Sequence, residues 1–293
     1  MNKDVAVAWE IGAELGEGPI WSDTLHALVF VDIRRARLHV YHPEDGERRS
    51  WDLEEACCWL LPREGGGFVA GLRSGVVELE LDEQGPRIGK RLTPIEWLPA
   101  GDRLNDAGSD TRGRLWFGSM DDAENEARGH LFRLDSRGVI RMDSEYHVTN
   151  GPAISPHGDT LYHNDSARQT VFAFDLDDDG ELSNRREHIR LAPGTGYPDG
   201  MTCDREGGLW IALWDGGRIA RFHADGSLDR EIALPVSRPT SCIFGGDALD
   251  RLFVTSAATG CHDEPLAGAL FEIAVETGGI ATTAVIMPND STL

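Results

Sequence analysis

Apolar residues along the chain fall in short stretches that end in turns, and one kind of stretch recurs six times. Each copy follows a turn that carries glycine or aspartate, and its residues are mainly aliphatic or aromatic. The copies are Ala27–Val31, Gly67–Ala70, Arg114–Gly118, Thr160–His163, Gly208–Ala212 and Arg251–Thr255. Short apolar runs bounded by turn residues are typical of β-strands.

A second stretch follows each copy, and several of these alternate apolar with polar residues. They are Arg37–Tyr41, Val76–Leu79, His130–Leu134, Thr170–Phe174, Arg218–Phe222 and Ala269–Ile273. Alternation with a period of two predicts a half-buried strand. Turns such as Asp135-Ser136-Arg137-Gly138 come next, because aspartate and glycine tolerate tight turns.

The repeating unit predicts an all-β protein built as a six-bladed β-propeller. Each unit spans about 40–50 residues and has room for about four antiparallel strands, which is the size of a propeller blade. A β-sandwich is the alternative, but its strands do not recur as near-copies in groups of four. We expect residues 1–293 to form a single propeller domain. The N-terminal Val5–Trp9 has no blade of its own and is expected to close the ring as the outer strand of the last blade.

The charge of the chain limits its partners. Among 293 residues, 50 aspartates and glutamates outnumber 28 lysines and arginines, giving a formal net charge of −22. Such a field repels phosphate backbones and anionic membrane surfaces, so we expect neither nucleic acid nor a membrane as partner. A neutral substrate or a cation is easier to accommodate.

The N-terminus and the cysteines both favour the cytoplasm. Met1–Ala6 lacks the basic-then-apolar pattern of a signal peptide. The five cysteines are odd in number and contain no CxxC pair, which argues against a disulfide framework and fits a reducing compartment.

Polar residues recur where the first strand of each blade enters the channel. When the six repeats are aligned, Glu17, Asn105, Asn150 and Asp199 fall at equivalent points and are expected to converge on the axis. Buried carboxylates gather only around a cation or a proton. Two carboxylates with one or two amide oxygens are hard ligands that suit a divalent ion.

Two plainer interpretations stand beside this one. Asn150-Gly151 and Asp199-Gly200 are ordinary turn dipeptides when each is taken alone, and only their shared phase in the repeat favours a site. The large aromatic residues either wall a pocket or belong to the blade cores; they are Trp59, Trp116, Tyr197, Trp210 and Trp214.

Four segments that contain these residues resemble the senescence marker protein / gluconolactonase / regucalcin family. They are Leu15–Trp21, Arg103–Asp106, Thr149–Pro152 and Tyr197–Met201. Their order and spacing are family-like over nearly the whole chain. In detail the sequence is similar to bacterial sugar lactonases such as xylonolactonase or arabinonolactonase.

The resemblance implies one divalent metal and a set of site residues. The implied metal ligands are Glu17, Asn150 and Asp199. Arg103 and Asn105 are the residues implied to contact substrate hydroxyls. In relatives, an acidic residue that follows a Gly-Thr-Met-like segment touches substrate. Asp121 and Asp122 lie near that point in this sequence, and the choice between these two stays open.

The implied activity is hydrolysis of a pentono- or hexono-lactone to the aldonic acid in sugar oxidation, with the small sugar lactone as partner. Asp199 is expected to accept a proton from the attacking water while it remains a ligand. The metal is calcium, zinc, manganese, magnesium or ferrous iron, all of which accept oxygen ligands. The alternatives are a metal-dependent phosphotriesterase or esterase on the same scaffold, and a non-catalytic calcium-binding propeller.

Overall fold

The computed structural model describes residues 4–93 and 98–287, and these residues form 24 strands and no helix. The first half of the chain contributes β1 (Val5–Trp9), β2 (Gly16–Ser22), β3 (Ala27–Asp32), β4 (Arg37–Tyr41), β5 (Arg48–Asp52), β6 (Cys57–Pro62), β7 (Phe68–Leu72), β8 (Gly75–Asp82), β9 (Gly85–Arg91), β10 (Asp102–Ser109), β11 (Leu115–Asp121) and β12 (Gly129–Asp135). The second half contributes β13 (Gly138–Tyr146), β14 (Thr149–Ile154), β15 (Thr160–Asp165), β16 (Thr170–Leu176), β17 (Leu182–Arg190), β18 (Tyr197–Cys203), β19 (Leu209–Trp214), β20 (Arg218–Phe222), β21 (Leu228–Ala233), β22 (Pro239–Gly245), β23 (Arg251–Ser256) and β24 (Leu270–Ala274). The all-β prediction is confirmed.

The strands form six four-stranded antiparallel sheets. Five of the sheets use four consecutive strands each, beginning with β2–β5, and the sixth combines β22, β23 and β24 with β1. Val5 pairs with Ile273 and Val7 with Phe271, so the N-terminal strand closes the ring as predicted. The innermost strands β2, β6, β10, β14, β18 and β22 each contact the next, and β22 returns to β2. The protein is a six-bladed β-propeller.

A repeated turn locks the inner strand of a blade to the next strand. In blade five, Asp204 follows β18, and its carboxylate accepts hydrogen bonds from Trp210 Nε1 at 2.8 Å and Arg221 Nε at 2.7 Å. Blade three repeats the arrangement with Asp110 and Trp116. Both aspartates are fully buried, where an ionised group requires such partners. These hydrogen bonds, made by an aspartate and a tryptophan six residues apart, fix the turn that follows the inner strand of the blade.

The six innermost strands share an irregularity near their first residues. Each strand shifts register by a β-bulge near its start, between Glu17 and Ile20, Cys57 and Trp59, Leu104 and Ala107, Asn150 and Ala153, Pro198 and Met201, and Pro239 and Ser241. A bulge turns side chains out of the alternation of a regular strand. These bulges allow neighbouring polar residues to face the channel at the same level.

A strap formed by residues 279–286 crosses the lower end of the channel. It leaves the last blade, where Gly279 N donates to Leu249 O at 2.7 Å, and reaches the second blade, where Val285 N donates to Pro62 O at 2.7 Å. On the way, Ser109 Oγ donates to Thr283 O at 2.5 Å. Strap residues 280–283 line a lower cavity of about 120 Å³ between the inner strands. The strap therefore covers the channel at this end.

The five cysteines are all free and buried. Over the described ranges, there is no helix of the length and apolarity that a membrane span requires.

Candidate active site

The opposite end of the channel holds an upper cavity of about 440 Å³. The three predicted metal ligands line this cavity, and so do the two residues predicted to contact substrate hydroxyls. They are Glu17, Asn150 and Asp199, and Arg103 and Asn105. All five are buried in the protein and come from four different inner strands. The shared phase of the repeats therefore corresponds to a shared position in space.

Three buried carboxylates repel one another near this cavity. Burial, followed by the charge of Asp106, raises the pKa of Glu17. Burial also raises the pKa of Asp106, and burial together with Glu17 and Asp106 raises that of Asp199 well above its ordinary value. Asp199 Oδ1 is buried without a hydrogen-bond partner among the described residues. A cluster of this kind is stabilised by protons or by a bound cation.

The amide of Asn150 is oriented by hydrogen bonds on both sides. Its Nδ2 donates to Ser166 Oγ at 2.9 Å, and its Oδ1 accepts from Asn105 Nδ2 at 2.8 Å. Ser166 Oγ in turn donates to Pro198 O at 2.6 Å. A carbonyl oxygen has two lone pairs, so Asn150 Oδ1 keeps one for a cation.

Arg103 is held rigidly beside these groups. Its Nε donates to Asp122 Oδ1 at 2.8 Å, and its Nη1 donates to Leu104 O at 3.0 Å and to Asn105 Oδ1. Asn105 Nδ2 also donates to Thr149 O at 2.5 Å. These bonds fix both side chains in one geometry, as binding groups that orient a substrate require.

Asp121 and Asp122 differ in their surroundings, and neither lines the upper cavity. Asp121 accepts hydrogen bonds from the backbone N–H groups of Asn125 and Glu126, at 3.0 and 3.2 Å, and so organises the turn after β11. Asp122 binds Arg103. The expectation that one of these two carboxylates contacts substrate stays a prediction.

The acidic residue from this turn that does line the upper cavity is Glu124, which the sequence reasoning missed. Arg34 and Ser166 line it as well and were also missed. Ser166 directly follows β15, whose Asn164 pairs with Asn150. Glu124 and Arg34 lie in turns outside the repeated strands.

The aromatic residues divide between the two interpretations. Tyr197 and Trp214 line the upper cavity. Trp116 and Trp210 are fully buried inside their blades. Trp59 is also buried and borders the lower cavity. The upper cavity is thus walled by two aromatic side chains next to its polar groups.

The oxygen atoms of this cluster fit a divalent cation. The predicted ligands provide two carboxylates and one amide oxygen, a set of hard donors typical of calcium or magnesium sites. The unpartnered Asp199 Oδ1 is the atom that most needs a positive partner. In the described part of the chain, no group of three or more His, Cys, Asp or Glu side chains is arranged to hold a metal. The third oxygen of the predicted donor set comes from the amide of Asn150.

The fold and this site define a class of protein: a six-bladed propeller with a carboxylate–amide cluster at one end of its channel, beside a cavity that accommodates a small molecule. The profile of the SMP-30/Gluconolactonase/LRE-like region family matches residues 15–258. The chain belongs to this family.

Relatives with similar sequences or structures cover nearly the whole chain. A 6-deoxy-6-sulfogluconolactonase from Pseudomonas putida is 35% identical over 96% of this chain and 98% of its own length. A pentonolactonase from Haloferax volcanii is 31% identical over 92% and 94%. The solved structure of a luciferin-regenerating enzyme superposes with a TM-score of 0.90 at 28% identity, covering 97% of this chain and 99% of that one.

Proposed function

We propose that the chain is a metal-dependent sugar lactonase, which hydrolyses a pentono- or hexono-lactone to the aldonic acid. The observation that carries this proposal is the convergence of Glu17, Asn150 and Asp199 on one cavity that Arg103 and Asn105 also line. The relatives named as a sulfogluconolactonase and a pentonolactonase support the reaction class.

Glu17, Asn150 and Asp199 are the residues that would hold the divalent cation. A bound divalent cation supplies Lewis-acid polarisation of a carbonyl and lowers the pKa of water. The raised pKa values of Glu17 and Asp199 support this assignment, because such carboxylates gain most from an adjacent positive charge.

The remaining work belongs to side chains of this protein. The carboxylate of Asp199 accepts the proton of the water that attacks the lactone carbonyl. Arg103 and Asn105 orient the sugar hydroxyls, and their fixed geometry lowers the entropy lost on reaching the transition state. The bond between the carbonyl carbon and the ring oxygen then breaks, the ring oxygen takes a proton from solvent, and Asp199 releases the proton that it accepted to solvent. Water and lactone thereby give one hydroxy acid.

The proposal is tested by removing single charges at the cavity. We expect Asp199→Asn to lose metal-dependent lactone hydrolysis by at least about a hundredfold, as the loss of a catalytic acid–base group does. Glu17→Gln is also expected to lose this activity, because it removes one carboxylate from the set that would hold the cation. Glu276→Gln is the matched control, because the Glu276 side chain is 91% exposed. Full activity of a folded Asp199→Asn protein would refute the proposal.

A comparison of substrates separates the proposal from its nearest alternative. A metal-dependent phosphotriesterase on the same scaffold would use the same channel residues. The proposal expects turnover of a sugar lactone to exceed that of an organophosphate triester. The reverse order would replace lactone hydrolysis with phosphotriester hydrolysis.

A further inference from the structure

Three arginines surround a single carboxylate next to the upper cavity. Asp122 accepts from Arg103 Nε at 2.8 Å, from Arg34 Nη1 at 3.2 Å and from Arg73 Nη1 at 3.3 Å. We name Arg34, Arg73 and Arg103 the arginine cluster. They come from three different blades, so the fold assembles them and the sequence does not display them together.

The arginine cluster borders both the upper cavity and a smaller one. Arg34 and Arg103 line the upper cavity. Both of them, together with Arg73 and Asp122, line an adjoining cavity of about 110 Å³. A molecule in the upper cavity therefore has a positively charged extension within reach.

The local charge is opposite to the charge of the chain. The protein carries a formal net charge of −22, yet three guanidinium groups here share one carboxylate. Glu124, on the wall of the upper cavity, adds a second negative charge. Since Glu17 and Asp199 are assigned to the cation, the described groups around this extension keep an excess of one positive charge.

The two outer arginines are poised to accept a second anion. The side chains of Arg34 and Arg73 are 41% and 53% exposed. Their bonds to Asp122 lie at the long end of the hydrogen-bond range, whereas Arg103 is buried with a shorter bond. A guanidinium fork pairs well with the oxygens of a phosphate, sulfonate or carboxylate. Because the hydrogen bonds of Arg34 and Arg73 to Asp122 are long, these guanidinium groups can turn toward such an anion with little loss of hydrogen-bond energy.

We propose that the substrate is a sugar lactone that carries an anionic substituent remote from the lactone carbonyl, and that Arg34 and Arg73 bind this substituent. The inference rests on the proposed lactonase function and specifies its substrate class. The shared chemistry is a terminal group with several negatively charged oxygens. Arg103 stays with Asp122 and the sugar hydroxyls.

The test compares kcat/KM for hexonolactones that differ only at C6: a neutral hydroxyl, a sulfonate, a phosphate and a carboxylate. We expect at least one anionic lactone to exceed the neutral lactone by about tenfold or more, the contribution of one or two hydrogen bonds to a charged group. The arm with the highest kcat/KM identifies the anion. A wild-type enzyme that handles the neutral lactone as well as all three anionic ones overturns the inference.

Variants then locate the anion. In the Arg34→Gln/Arg73→Gln protein, we expect the anionic-to-neutral ratio of kcat/KM to fall by about tenfold or more. The matched control is Arg49→Gln, an exposed arginine on the outer strand β5 that pairs with Glu47, and its ratio is expected to equal that of the wild type. A ratio is unaffected by partial loss of folded enzyme. An unchanged ratio in the double variant overturns the inference.

The outcomes separate this inference from the lactonase proposal. If the neutral lactone is hydrolysed and no anionic lactone is preferred, the lactonase function stands and the anionic substituent is wrong. If neither these four hexonolactones nor a panel of pentonolactones is hydrolysed with any divalent metal, the lactonase proposal itself is wrong.

Discussion

Replacing Glu17 by glutamine removes one of three buried carboxylates, and we expect the metal-free protein to become more stable. Burial, and then Asp106, raises the pKa of Glu17 from 4.5 to about 8. A carboxyl group whose pKa is higher in the folded protein binds more protons there than in the unfolded chain. Its contribution to stability is therefore lost as the pH rises from 4.5 toward 8.

The magnitude follows from this pKa difference. At pH 7 the raised pKa of Glu17 destabilises the metal-free fold by about 3 kcal/mol. The folded protein keeps Glu17 largely protonated above its ordinary pKa, which costs roughly 1.4 kcal/mol for each pH unit above 4.5. For a chain of this size that corresponds to an increase of about 6 °C in Tm for Glu17→Gln. At pH 5 the expected difference is below about 1 kcal/mol.

The assay is thermal and urea unfolding of wild type and Glu17→Gln in chelator and with excess calcium or manganese. A ligand that binds only the folded state raises its stability, so metal is expected to stabilise the wild type and to stabilise Glu17→Gln much less. Glu276→Gln, whose side chain is exposed, serves as the control and should match the wild type. A Glu17→Gln protein that is less stable than wild type in chelator at pH 7, or gains as much from metal, would refute the reasoning.

Three further predictions concern stability. Asp204 is fully buried between charged and polar partners, so Asp204→Ala should lower the free energy of unfolding, measured in urea, by about 3–5 kcal/mol. The control Asp247→Ala, on the exposed surface, should change it by less than about 0.5 kcal/mol. Burial lowers the pKa of His163 to about 3, so with metal in excess the unfolding free energy should fall as the pH drops from 6.5 toward 3, and His163→Leu should flatten this profile. Val285→Asp would bury a charge within the strap, because Val285 is fully buried, and should lower Tm by several degrees. Ile286→Asp, at a position 49% exposed, should not.

The architecture could be predicted because the same local sequence pattern recurs six times. Short apolar stretches recur in every blade, several of the second stretches alternate with a period of two, and turns with aspartate or glycine lie between them. The position of Val5–Trp9 followed from counting, since a closed ring needs a fourth strand in its last blade. The strap of residues 279–286 was not predicted, because it makes irregular contacts with several blades and has no periodic pattern.

The site residues on the repeated strands could be predicted from the sequence, and those in irregular turns could not. Glu17, Asn150 and Asp199 share one phase of the repeat, so alignment of the blades brought them together. Glu124 lies in a turn with a φ of 58°, a left-handed conformation that a residue other than glycine rarely adopts. Its position depends on the backbone bonds that Asp121 accepts in that turn. No local sequence pattern specifies where such a turn points.

The charge of the whole chain gave no indication of the arginine cluster. A net charge of −22 favoured a neutral substrate or a cation. Arg34, Arg73 and Arg103 come from separate blades, and only the closed ring brings them to one carboxylate. Composition averages over the surface, whereas an electrostatic site is set by a few neighbouring groups.

The central claim is that a divalent cation held by Glu17, Asn150 and Asp199 serves lactone hydrolysis. The most direct test strips the protein with a chelator, confirms that it is folded, and follows hydrolysis of neutral and C6-anionic sugar lactones as single metals are added back. The account predicts that turnover is lost with the metal and restored by at least one divalent ion. Turnover that persists fully without metal, or no detectable hydrolysis with any metal, would contradict it.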